Sequence, residues 1–493
     1  MATVESDKQD EAWRFLQDHA GVPHAEIDGV DLKKLRAKID WHILPLMFCC
    51  YTLQFIDKVM INYAAVMGIT TDLKLVGNEF SNVGTSFFIA YLIAEVPNTF
   101  LLQKLPAGKW LGTNVILWGI VVAATAGVNN YTTLVVARVF LGLFEATIGP
   151  SLMIISSHYY TKSEQAPRFC LWYLGLGVGQ ILGGIISFAF QHVSAHASLS
   201  GWQLMFIVLG LVTSIVGSFT FFFVPDTPMA ARFLTEVEKV ALLKHISTNK
   251  TGVRNTKFQF KQIIEALWDP QLWLLALMVM LQSVSSGVVT TYSSTLIRNS
   301  GFSPKESALL NMPSGIVSIF FTLLVGFGIR HSSNRWAWVF MCSIPGIIGG
   351  GLMSFLPSWN TAGLLIGVYL VNAIVAPLPV IYQWTAANCA GYTKRAFASA
   401  LVAGSFSVGN IIGPQTFQAK DAPNYRPAKI AVLATQAAAG MLSIVLFGYY
   451  LWENKRRDAR DNTRVTNEDE SSINAVDWAG STDRENTSFR YVY

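Results

Sequence analysis

Residues 132–154 read TTLVVARVFLGLFEATIGPSLMI, an apolar run of membrane length that nonetheless carries Arg138 and Glu145. About 20 consecutive apolar residues cross a bilayer as a helix. A charge in hydrocarbon costs at least about 2.5 kcal/mol, so charges in such a run face a partner or a watery path. Arg138 and Glu145 are seven apart, which sets them on one helix face about two turns, or roughly 10 Å, from each other. Gly142 falls between them on that face, and is expected to leave a gap there. A guanidinium beside a gap can take a carboxylate in fork geometry, and the acid can exchange a proton. The plainer alternative is that Arg138 pairs with Asp57 or Glu95 and only braces the bundle.

Outward from that stretch, eleven further apolar runs bring the total to twelve: 43–66, 83–103, 111–129, 132–154, 169–190, 203–224, 272–294, 307–329, 336–356, 361–387, 396–418 and 429–452. The pattern predicts an all-α membrane protein with twelve transmembrane helices in two six-helix bundles, two similar halves of one chain. The predicted divisions are a cytoplasmic arm over 1–42, a first bundle over 43–224, a cytoplasmic linker over 225–271, a second bundle over 272–452, and a polar, disordered cytoplasmic tail over 453–493. With 52% hydrophobic and 14% charged residues, the chain is too apolar for an ordinary soluble globule.

Of the 36 Lys and Arg, 28 fall on segments sharing one side of the membrane and six on the other, which predicts that both termini are cytoplasmic. The net charge of +5 follows from that bias, and no nucleic-acid partner is expected. Residues 1–42 are mixed and acidic, unlike a removable signal peptide. Leu32, Leu35 and Ile39 recur among lysines and Arg36, predicting a short amphipathic helix at the headgroups, with Trp41 at the interface. Thr235 and Glu238 form a capping-box pattern that predicts a helix in the linker. Cys49, Cys50, Cys170, Cys342 and Cys389 make no C-x-x-C pair, so no disulfide framework, metal or cofactor is expected.

Five ionisable residues lie within the runs, all in the first half: Asp57, Lys58, Glu95, Arg138 and Glu145. Asp57 and Lys58 are adjacent, point about 100° apart, and are expected to face different partners. Lys58 either adds a second positive charge for an anionic solute or pairs with a local carboxylate. Three acids against two bases leave one carboxylate without an obvious countercharge. Glu145 is the first candidate for proton coupling, Glu95 the second, and Asp57 has the nearest cations. The second half contributes hydrogen-bonding groups instead, including Gln282, Tyr382, Trp384 and Asn388. These either bind the neutral portion of a solute or bond across helices. Tyr382 and Trp384 either stack on a planar group or pack.

The first run contains Leu53-Gln54-Phe55-Ile56-Asp57-Lys58 followed by Asn62-Tyr63-Ala64. The second has Tyr91-x-x-x-Glu95-x-Pro97, and the fourth Arg138-x-x-x-Gly142-x-x-Glu145-Ala146. Pro225-Asp226-x-Pro228, Leu309-Leu310-x-Met312-Pro313, Asn388-x-x-Gly391-x-Thr393-Lys394-Arg395 and Gly409-Asn410-x-x-Gly413-Pro414 follow in order. Together these resemble the major facilitator superfamily, and within it the fungal anion:cation symporters close to the allantoate permease, from about Lys38 to Trp452.

The resemblance implies proton-coupled uptake of a small organic anion by alternating access at a fungal plasma membrane, with cargo such as a ureido acid, small peptide or vitamin carboxylate. It implies substrate-facing roles for Lys58 and Arg138 and a proton role for Glu145. The chain is expected to function as a monomer. Related carriers often have Arg at the position of Lys58. The loop Gln103–Lys109 departs from the superfamily's Asp-containing gating motif. Two rival functions are export of a secondary metabolite and a non-transporting nutrient receptor. An enzyme is not expected, since no nucleophile has a matched base.

Overall fold

The computed structural model describes residues 15–19, 27, 29–193, 198–247, 259–465, 482–486 and 489–493, and every regular element among them is helical. Eleven helices among the described residues are long and apolar enough to cross a membrane. The expected second span forms the 26-residue helix Glu79–Lys104, part of whose side chains lie outside the described residues. The first part of the chain holds α1 (Leu32–Met67), α2 (Glu79–Lys104), α3 (Ala107–Ala124), α4 (Tyr131–Glu145), α5 (Ile148–Tyr159), α6 (Lys162–Tyr173), α7 (Gly175–Phe190), α8 (Gly201–Phe223) and α9 (Glu236–Ser247). The remainder holds α10 (Phe260–Leu267), α11 (Pro270–Asn299), α12 (Pro304–Leu310), α13 (Met312–His331), α14 (Arg335–Phe355), α15 (Thr361–Val371), α16 (Pro377–Asn388), α17 (Tyr392–Gln415) and α18 (Arg426–Val465).

Two compact units result: Met1–Gly252 with Ser303–Gly315, and Val253–Phe302 with Ile316–Tyr493. The expected second bundle thus loses Ser303–Gly315 to the first unit. There Asn311 Nδ2 donates to the Tyr63 hydroxyl at 3.4 Å.

In the first unit the expected short headgroup helix is not separate from the first span. Leu35, Ile39, Ile43 and Met47 are all buried and recur every four residues, so one apolar stripe runs unbroken along α1. Asp31 starts it by accepting from the Lys33 and Lys34 backbone N–H groups at 2.9 and 3.3 Å. Against α1 lies α7, whose glycines permit close approach: a Cβ at Gly179 would sit 3.0 Å from the Thr52 carbonyl oxygen. Helix α9 begins with a reciprocal box, Thr235 N–H to Glu238 Oε2 at 2.8 Å and Glu238 N–H to Thr235 Oγ1 at 3.3 Å. Its Val240 and Ala241 pack with Ile27 of the amino-terminal arm.

In the second unit Asp269 caps α11 by accepting from the Gln271 N–H at 3.3 Å. Helix α17 packs on α11 at Gly409 and Gly413, where the Met280 and Val284 carbonyls leave no room for a Cβ. The expected disordered tail is corrected in two places. Helix α18 continues to Val465, and residues 482–486 and 489–493 are ordered against the unit. Tyr491 is buried in the same apolar cluster as Trp384 and Tyr450, with Phe489 and Tyr493 packed on it. Three aromatics at alternate positions anchor a segment whose polar composition suggested none.

Candidate functional site: a buried charge cluster in the first unit

Helix α1 brings Asp57 and Lys58, α4 brings Arg138 and Glu145, and α3 and α2 bring Trp118 and Tyr91. Asp57, Arg138 and Glu145 are 1%, 2% and 0% exposed, so none faces lipid. The Asp57 carboxylate has Arg138, Trp118, Glu145 and Lys58 as interacting neighbours. Lys58 Nζ lies 3.7 Å from Glu145 Oε2 and 5.3 Å from the Tyr91 ring centroid. The expectation that Asp57 and Lys58 serve different partners is therefore corrected: both act on Glu145.

Gly142 is corrected as well. Instead of a gap, its face is filled by α2: a Cβ there would collide with the Phe87 carbonyl and stand 3.0 Å from the Tyr91 nitrogen. The glycine thus draws Tyr91 towards Lys58.

Helix α4 ends at Glu145, and the chain resumes as α5 only at Ile148. A break inside a span leaves carbonyls without helical partners. Gln54 supplies one, its Nε2 donating to the Glu145 carbonyl at 3.4 Å. Six side-chain atoms in the cluster have no hydrogen-bond partner among the described residues: both oxygens of Asp57, both of Glu145, and Nε and Nη2 of Arg138. Buried polar atoms are ordinarily paired; here the charged groups act chiefly on one another, Asp57 on Arg138 and Glu145, and Lys58 on Glu145. Glu95, one turn beyond Tyr91 on α2, is half-buried.

The second-unit candidates part company. Gln282 is 2% exposed; its Nε2 donates to Ser343 Oγ at 3.2 Å, and its Oε1 has no partner among the described residues. Tyr382 packs partly buried on the apolar cluster around Trp384. Trp384 and Asn388 have a partner within the chain rather than open groups for a solute. Trp384 Nε1 and Asn388 Nδ2 both donate to the Val492 carbonyl, at 2.8 and 2.9 Å.

Sequence reasoning missed three members of the first-unit cluster. Gln54 and Tyr91 stand inside its motifs and carry polar groups, which is signal enough. Trp118 gives none, since an indole in an apolar span reads as packing. The loop that departs from the gating motif also finds an acid: the Lys109 N–H donates to Asp226 Oδ1 at 3.0 Å.

Paired helical units and a membrane-buried charge cluster define a multi-pass carrier, and residues 47–414 match the family model of the Major Facilitator Superfamily. The chain belongs to that superfamily. Within it the chain is allantoate-permease-like, a fungal-type transporter and not an enzyme. It is 39% identical to the thiamine pathway transporter of Saccharomyces cerevisiae over 93% of this chain and 86% of that protein. It is 32% identical to the allantoate permease of the same yeast over 99% of this chain and 91% of that protein. In fold it is similar to the solved D-xylose-proton symporter, with a TM-score of 0.63 at 13% identity, covering 82% of this chain and 97% of that one.

Proposed function

We propose that this protein carries a small organic anion together with a proton, by alternating access, at the plasma membrane. The observation that carries this reading is the buried cluster of Asp57, Lys58, Arg138 and Glu145, in which six polar atoms lack hydrogen-bond partners among the described residues. A substrate carboxylate is the natural complement of Arg138, whose planar donors match it in a fork. Lys58 is the second cation, held by Glu145 at 3.7 Å until that acid is protonated.

Protonation of Glu145 then releases Lys58 to the anion, so proton and cargo favour the same state, which is what coupling requires. Asp57, next to Arg138, sets its charge balance, and Glu95 stands by as a secondary proton site. The similarity to an allantoate permease supports a ureido acid as the first cargo to try.

The test is uptake of radiolabelled allantoate, with a small peptide and a vitamin carboxylate as alternatives, by cells lacking their own carriers. Accumulation should be faster at acidic than at neutral external pH. Efflux without uptake for all three would favour an exporter instead.

A further inference from the structure

We propose that residues 482–486 and 489–493 form a releasable strap that clamps one end of the second unit and slows transport. The strap ties together elements that are far apart in the chain. Asp483 Oδ1 lies 2.8 Å from Lys394 Nζ on α17, with both side chains fully buried. Asp483 Oδ2 accepts from Gln271 Nε2 on α11 at 3.1 Å and from the Tyr491 hydroxyl at 2.8 Å. Arg457 on α18 donates through Nη1 to the Asp483 and Phe489 carbonyls, at 2.8 and 2.9 Å.

Two side-chain amides on helices read the strap's backbone directly. Asn388 on α16 takes both groups of Val492, accepting from its N–H at 2.8 Å and donating to its carbonyl at 2.9 Å. Asn454 on α18 does the same for Tyr491, accepting from its N–H and donating to its carbonyl, each at 2.9 Å. Such a constellation is a receptor built for one segment.

Release strands no buried charge on the bundle. Lys394 keeps Asp269 at 2.7 Å and Glu265 at 2.9 Å, and Arg457 keeps Glu453 at 3.2 Å. Removing one partner from a buried ion pair is ordinarily very unfavourable, so these internal carboxylates make the undocked state accessible and give the strap two states. The strap fixes the ends of α11, α16, α17 and α18 to one another within the second unit, and the brake we propose acts on relative movement of those ends. This rests on the transport reading above.

The experiment compares the full chain with one ended after residue 480, both in lipid nanodiscs and in cells. For the shortened chain we expect a monodisperse profile and amide hydrogen exchange about tenfold faster over 388–395 and 454–457. We also expect initial uptake of radiolabelled allantoate about two- to fivefold faster, the clamp on the second unit being removed. A folded shortened chain with unchanged exchange and uptake overturns the proposal. If it does not fold, the pair Asn454→Cys and Tyr491→Cys decides. Oxidative cross-linking that lowers uptake, reversed by dithiothreitol, supports the strap, and cross-linking without effect overturns it. If neither form takes up allantoate, the cargo reading has failed and exchange alone decides: a rise supports the strap and no rise overturns it.

Discussion

Lys58 stands 3.7 Å from Glu145 across two helices, with Asp57, its neighbour in the chain, acting on the same carboxylate. An ammonium facing two acids is held more firmly than one facing a single acid, and adding a proton to Glu145 weakens that hold. The geometry therefore links the charge on Glu145 to the freedom of Lys58.

Arg138→Ala should raise the half-saturating concentration of the anion about tenfold to a hundredfold, the range of a lost charge-assisted hydrogen bond of about 1.5–3 kcal/mol. Arg138→Lys should recover only part of the loss, since an ammonium is a point charge and not a fork. Concentration-dependent uptake by both variants checks this, with surface abundance held equal.

Breaking the Lys58 to Glu145 pair from one side should destabilise the protein more than removing it altogether. A broken buried pair costs about 3–5 kcal/mol, whereas replacing both members is often close to neutral. Thermal unfolding of Lys58→Met, Glu145→Gln and the double variant in detergent measures the difference. The double variant should melt above Lys58→Met.

Gly142→Leu should abolish folded protein, because the Phe87 carbonyl already occupies the place of a Cβ and packed interiors do not yield to added volume. Gly149→Ala, where nothing lies within 4 Å of the new carbon, is the matched control. Fluorescence-detected size-exclusion profiles of the two separate them.

Outside the membrane spans, burial pushes the Glu164 carboxyl up, but the Thr161 N–H and His245 more than offset it and hold the group below its ordinary value of 4.5. A depressed folded value adds stability that is complete above 4.5 and disappears as pH falls through the lower folded value. The melting temperature of wild type should therefore exceed that of Glu164→Gln from pH 7 to about 5. Below 4.5 the margin should close.

The helical fold was legible because apolar runs of bilayer length leave little alternative, and Arg138 and Glu145 declared themselves by being charged within one. Their surroundings were less legible. Gly142 has the same letter whether its face is open or filled by another backbone, and only packing shows that α2 fills it. Trp118 carries its single polar atom on a large apolar body, so nothing in its span marks it as a neighbour of Asp57. Trp384 and Asn388 read correctly as hydrogen-bonding groups, but their partner lies 108 and 104 residues away. No local pattern reports a contact at that separation. The tail's polarity points to disorder, whereas Phe489, Tyr491 and Tyr493 at alternate positions supply its anchor.

The most direct test of the coupling claim is Glu145→Gln in proteoliposomes, assayed with radiolabelled allantoate in two ways. In exchange against internal allantoate at equal pH, the variant should match wild type within about twofold, because a neutral side chain leaves Lys58 free for the anion. Driven by an imposed pH gradient, with the acidic side outside, wild type should accumulate cargo and the variant should only equilibrate it. A Glu145→Gln protein that still concentrates allantoate against its gradient in response to pH would contradict the account.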